Sequence, residues 1–204
     1  MAVKRKLDVV EENYTIDWRT HCRRPFRRGF IPYTEPAEEE RENVARMRES
    51  LGIESIQDQA GIDATPAPVE SFQELGCLPS WLLDAMREKD ILEPTPLQAQ
   101  VLPVVLAGLN CVGVAKQSSG ESLAYMLSAI VHIEDQPQLL EEDPGPVALV
   151  LTATSEQALA AASEATRLLI HSSRSERHSE GMKVVAICDG AKRKDLVHRL
   201  WQIG

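Results

Sequence analysis

The sequence predicts an α/β domain: a parallel sheet flanked by helices, preceded by a flexible N-terminal tail. Two observations carry that expectation. Short continuous apolar runs at 111–115, 147–151 and 183–188 alternate with longer segments of helical period, the pattern of buried parallel strands joined by right-handed helical crossovers. The opening seventy residues differ in texture, basic to about residue 30 and acidic from 31 to 70. That shift places a boundary near residue 70, with tail and linker over 1–70 and the folded domain over 71–204.

Composition bounds the function. Of the 204 residues, 43% are apolar, enough for one core, and only 4% are aromatic, so that core is aliphatic. The net charge of −9 argues against a chain that grips polyanions through overall charge. Cys22, Cys77, Cys111 and Cys188 are far apart and form no C-x-x-C pair, so neither a disulfide framework nor a zinc site is expected, and a reducing compartment fits. The start Met-Ala-Val-Lys-Arg-Lys-Leu lacks the apolar stretch of a signal peptide. The most apolar run, 101–115, is interrupted by Pro103, Gly108 and Asn110 and falls short of the ~20 residues a bilayer requires. A soluble, intracellular protein without membrane contact is expected, with Lys4-Arg5-Lys6 slightly favouring the nucleus over the cytoplasm.

In chain order, Pro25-Phe26-Arg27-Arg28-Gly29-Phe30 interleaves arginine with aromatic rings. Such a segment can stack on RNA, or dock its two Phe rings on its own domain. Glu38 to Leu51 reads as a short solvated helix, and 52–70 has linker composition. Leu78, Leu82, Leu83 and Met86 have helical spacing behind Pro79 and Ser80. After the break Glu93-Pro94-Thr95-Pro96, a second helix is expected over Leu97 to Leu106 and a strand over Cys111 to Ala115. Further helices are expected over Ser122 to Glu134, Glu156 to Ile170 and Lys192 to Trp201. Strands are expected over Val147 to Leu151 and Lys183 to Cys188, and Ser172 to Glu180 reads as a charged loop. His132 reads as a structural residue, His171, His178 and His198 as solvated, and Asp84, Glu88 and Asp90 as a solvated helix face.

The passage from Val112 to Tyr125 carries the chemistry. It reads as a strand, a small-residue loop and a helix start, the layout of a P-loop in which backbone N–H groups and a helix N-terminus cradle phosphates. That chemistry calls for glycine early in the loop and Gly-Lys-[Ser/Thr] at its end. Gly120 and the hydroxyl of Ser122 are present, but Ser118 stands where the first glycine belongs and Glu121 where the lysine belongs. Exchanging ammonium for carboxylate turns attraction for phosphate into repulsion, each about 4 kcal/mol at ~4 Å and an effective dielectric of ~20. A plain strand–loop–helix turn is the competing reading of these residues alone.

From Ser71 to Gly204 the chain resembles the first RecA-like half of the DEAD-box RNA helicases. The resemblance rests on Glu93-Pro94-Thr95-Pro96-Leu97-Gln98-Ala99-Gln100, which looks like the Q motif. It rests also on Leu123 to Ile133, which looks like the helix after the P-loop, and on Gly145 to Leu151, which looks like the strand before the first RNA-contacting motif. It implies a RecA-like fold of P-loop NTPase type, here incomplete. It implies that Gln98 reads adenine, that Ile91 stands where an aromatic would stack, and that Ser118, Ser119, Gly120, Glu121 and Ser122 form a degenerate nucleotide site. Gln117 replaces a threonine there, and Ser122 would be a weak Mg²⁺ ligand. It further implies a degenerate RNA contact at Thr154, Ser155 and Gly190, with Ser155 in place of arginine and Asp189 in place of glycine. Positive charge is thus lost on both the ATP and the RNA side. The sequence ends before the D-E-A-D strand, so no catalytic residue is assigned. The expectation is a non-catalytic, helicase-like pseudoenzyme that binds RNA weakly or protein partners, with binding of ATP and Mg²⁺ weakened or lost. The alternative is the N-terminal portion of an ATP-dependent RNA helicase.

Overall fold

The computed structural model describes residues 26–33, 37–54, 56–57, 65–137 and 146–188. Five helices organise these residues: α1 (Glu38–Ser50), α2 (Ser80–Arg87), α3 (Pro96–Leu106), α4 (Glu121–Asp135) and α5 (Ser155–Leu168). Two 3₁₀ turns, Phe72–Leu75 and Leu169–Arg174, complete them. The helix expected over 192–201 lies outside the described residues.

The core forms where the apolar faces of these elements meet. Leu82 and Met86 of α2, Leu102 and Leu106 of α3, and Leu127 and Ile130 of α4 pack with Phe72, Trp81 and Leu168. Leu82, Leu102 and Leu127 have no exposed surface. Burying a leucine contributes roughly 1.5–3 kcal/mol by area, so this aliphatic cluster is the main source of cohesion, as the composition predicts.

Helix ends follow from local chemistry. Thr95 accepts from Gln98 N at 3.3 Å, and the Gln98 side chain accepts from Thr95 N at 3.0 Å, a reciprocal capping box, with Pro96 at the first helical position. Gly108 (φ +83) ends α3. Its N–H donates to Val105 O at 2.9 Å, and that of Leu109 donates to Val104 O at 3.2 Å, a Schellman closure. A side chain at Gly108 would also lie 2.6 Å from Arg28 O.

Pro103 stands inside α3 and has no N–H to return to Ala99 O. A buried carbonyl left without a donor is costly. Val69 N supplies it, donating to Ala99 O at 3.0 Å. The segment 65–69 is thereby held against α3, with Thr65, Pro66 and Pro68 buried. Helix α1 is tied to the same place. Arg48, 8% exposed, donates from Nε to Gln100 at 3.0 Å and from Nη2 to Thr65 O at 2.9 Å. A helix expected to be solvated is therefore half anchored, through Val44 and Arg48.

One expectation finds no support among the described residues, and two change. No strand occurs among the described residues: 111–115, 147–151 and 183–188 are not assembled into a ladder there. Extended chain becomes a strand only when a neighbour about 4.8 Å away takes its N–H and C=O groups. Many apolar side chains of these segments stay open to solvent, Val112 and Val114 at 92% exposure and Leu151 at 85%. Second, the segment read as a charged loop after residue 171 folds back on α4. Ser172, Ser175 and His178 are buried. Ser175 Oγ donates to Glu134 at 2.8 Å, and His178 Nε2 donates to Ile133 O at 2.9 Å. Third, His171 is half-buried and bridges the 169–174 turn to the end of α2, while the face carrying Asp84, Glu88 and Asp90 stays largely open to solvent as expected. His171 Nε2 lies 2.8 Å from Glu88 and Arg174 lies 3.3 Å from Asp84. Asp90 adopts φ +57 where α2 ends, with Ile91 N closing back on Met86 O at 3.0 Å.

Candidate functional site: the loop before α4

The loop before α4 is set by two left-handed residues. Ser118 has φ +67 and Gly120 φ +85. Between them Ser119 closes a turn on Lys116, its N–H donating to Lys116 O at 3.2 Å and its hydroxyl at 2.5 Å. The left-handed conformation costs a non-glycine residue about 1–2 kcal/mol, so Ser118 carries strain where a glycine would carry none. Glu121 then opens the helix, placing a carboxylate in the first turn, where the helix dipole is positive.

The start of α3 grips this loop. Thr95 Oγ1 donates to Ser119 O at 2.7 Å, and Gln98 Nε2 donates to Gly120 O at 2.9 Å. Gln98 is 2% exposed, and both ends of its amide are engaged, the oxygen on Thr95 N and the nitrogen on Gly120 O. A Cβ at Gly120 would lie 2.2 Å from Gln98 Nε2, so the contact requires glycine there. Of the residues singled out by sequence, the structure brings Gln98, Ser119 and Gly120 together, with Glu121 and Ser122 half-buried just behind them. Ser118 is exposed. Ile91 sits apart, packed on the core beside α2. Thr95 is a member of the cluster that the site assignment omitted, although its place in a threonine–glutamine capping box was a readable signal.

A cleft of about 550 Å³ opens beside the loop. Leu97, Val101, Tyr125 and Val147 wall it, and Arg28, Glu121 and His132 carry its polar groups. The aromatic arm closes one side. Phe30 N and Ile31 N donate to Leu106 O at 2.7 and 3.3 Å, and both Phe26 and Phe30 meet the His132 ring edge-on, at 5.7 and 6.3 Å between centroids. Arg27 and Arg28 lie over Phe30 and Phe26. Phe30 packs against the core, whereas Phe26 touches His132 yet stays 57% exposed.

The second cluster is at the start of α5. Thr154 caps it, accepting from Gln157 N at 3.3 Å, and Ser155 is its first residue. The Glu156 carboxyl is held below its ordinary range by its own backbone N–H and by the Thr154 hydroxyl. Cys188 Sγ lies 3.8 Å from Ser155 O, so the segment leading toward 189 runs against this helix start. Gly190 lies outside the described residues. No group of three or more His, Cys, Asp or Glu suited to a metal occurs among the described residues, and no helix among them is long and apolar enough to cross a membrane.

Comparison with known proteins gives this geometry a setting. The family model for DEAD/DEAH box helicases matches residues 95–203. The chain is 40% identical over 102 residues to DEAD-box ATP-dependent RNA helicase 20 of Arabidopsis thaliana, covering 50% of this chain and 20% of that one. It is 44% identical over 98 residues to the probable ATP-dependent RNA helicase DDX17 of Homo sapiens, covering 48% and 13%. Among solved structures, the RNA-helicase Prp28 from Chaetomium thermophilum bound to ADP superposes with a TM-score of 0.63 at 27% identity, over 83% of this chain and 38% of that one. The yeast splicing factor Prp28 has the same fold, with a TM-score of 0.66. The chain thus spans a fifth or less of the length of these two curated relatives.

Proposed function

Because the chain belongs to the DEAD/DEAH box helicase family, we propose that it is a non-catalytic member whose RecA-like region serves as a binding module for protein partners and, weakly, for RNA. One observation carries the reading. Glu121 holds a carboxylate at the helix start where the family's phosphate chemistry needs an ammonium. The Gln98 amide, which would read adenine, is already satisfied by Thr95 and Gly120. The residues present therefore do not fit a tightly held nucleotide and Mg²⁺, although the Ser122 hydroxyl would be a weak metal ligand. Even with solvent screening at a half-buried position, replacing attraction by repulsion costs about 3 kcal/mol, on the order of a hundredfold in affinity. The RNA side lost charge in the same way. Thr154, Ser155 and Gly190 retain backbone and hydroxyl donors, but serine stands at 155 in place of arginine and Asp189 in place of glycine. In this reading residues 1–70 form the tail and linker and 71–204 the partial RecA-like region.

A second reading has its own support. Gln98 and Ser122 are retained, and the relatives extend well beyond the matched region, which suits the N-terminal portion of an ATP-dependent RNA helicase. Titration with a fluorescent ATP analogue, with and without Mg²⁺, separates the two. The first reading expects no saturation at micromolar nucleotide and a gain of about a hundredfold for Glu121→Lys. Micromolar, Mg²⁺-dependent binding by the unaltered chain would overturn it in favour of the second.

A further inference from the structure

We propose that Arg48 is a positioning residue for the loop before α4, acting through Gln100 on the first turn of α3. Gln98 and Gln100 lie two positions apart, so they leave opposite sides of that turn. On one side Gln98 holds Gly120 O at 2.9 Å and Thr95 holds Ser119 O at 2.7 Å. On the other, Gln100 donates to Pro66 O at 2.8 Å and accepts from Arg48 Nε at 3.0 Å. Arg48 Nη2 also reaches the carbonyls of Thr65 and Pro66, at 2.9 and 3.2 Å. Between the two sides, Val69 N bonds the Ala99 carbonyl that Pro103 leaves vacant. The turn is clamped between the N-terminal helix and the loop.

The chemistry of the clamp suits a positioning role. A guanidinium presents a fixed fork of donors, which holds three acceptors from two chain segments in one geometry. Bonds from a charged donor are stronger than neutral ones and persist when partly buried. The loop lacks such an anchor of its own: Ser118 is strained and exposed, and its preceding segment is open to solvent. The order of the loop is therefore borrowed from α3, and that of the first turn of α3 from Arg48. This clamp holds whether or not nucleotide binds.

Hydrogen exchange followed by mass spectrometry on the full chain tests it, with Arg48→Met and Gln100→Met. Each variant is expected to speed exchange about tenfold in peptides covering 94–100 and 116–124, leaving 155–174 unchanged. The double variant is expected to add nothing further, since both act on one bond path. Arg48→Lys is expected to behave like Arg48→Met, because one ammonium cannot span the fork. If Arg48→Met fails to fold, Gln100→Met carries the test, since it leaves Arg48 on the Thr65 and Pro66 carbonyls. Unchanged exchange over 116–124 in Gln100→Met would overturn the proposal. So would uniform acceleration that includes 155–174, which would mark Arg48 as a general stabiliser only.

Discussion

Replacing Gly120 by alanine tests the central contact of the loop. The new Cβ would lie 2.2 Å from Gln98 Nε2 and 3.1 Å from Thr95 Oγ1, at a backbone φ of +85. Gln98 cannot give way at no cost, because its amide is buried and bonded at both ends. If the side chain withdraws, Gly120 O and Thr95 N lose their partners, at about 1 kcal/mol each. The left-handed backbone adds about 1 kcal/mol for a side chain. The sum is about 3 kcal/mol, which for a domain of this size lowers Tm by roughly 6–12 °C. Gly52→Ala is the control. Its φ is +67, but nothing lies within 4 Å of the new Cβ, so it carries the backbone cost alone, about 1 kcal/mol. Thermal and urea unfolding followed by circular dichroism measure both. A Gly120→Ala loss no larger than that of Gly52→Ala would refute the claim that Gln98 is committed to the loop.

Two further outcomes are expected. Leu82→Ala, at a side chain with no exposed surface, should cost about 2–5 kcal/mol in urea unfolding, whereas Leu159→Ala, at 58% exposure, should fall within about 0.5 kcal/mol of the parent. The Glu88 carboxyl is held below its ordinary value of 4.5, chiefly by the hydrogen bond to His171. A depressed folded-state value means its stabilising contribution is present above pH 4.5 and fades as pH falls through the folded value. Carboxyl NMR titration should therefore show Glu88 titrating below 4.5 and rising toward it in His171→Ala. An unmoved midpoint in that variant would dispose of the bridge as its cause.

What could be read from the sequence was what is decided locally. The expected helices over 97–106 and 122–134 occur within one residue of their ends, because helical period, the Thr95 cap and the Gly108 stop act within a few positions. The strands were also signalled locally, as apolar runs, but a ladder depends on a neighbour distant in sequence, and none is assembled among the described residues. The fold-back after residue 171 was hidden for a related reason. Ser175 and His178 look solvated until Glu134 and the Ile133 carbonyl are seen to receive them, and Ser172 until Met182 N is seen to donate to it. Of the site, Gln98, Ser119 and Gly120 were legible through motif spacing. Arg48 was not, since an arginine in a polar helix gives no sign of burial. One clue was available: a proline inside an apolar helix implies a carbonyl four residues earlier in need of a donor.

That proline also bears on modularity. A helix complete in its own bonds can be moved or cut out as a unit, but α3 is completed by a residue some thirty positions upstream. A fragment started at residue 71, where the composition changes, would discard Val69 and the Thr65–Pro66 carbonyls together. It would expose Ala99 O and strip Gln100 of both Arg48 and Pro66 in a single step. Val69 and Pro66, in a segment that reads as a linker, are therefore bonded to the domain they lead into, and so is Arg48 of α1, which also holds Thr65.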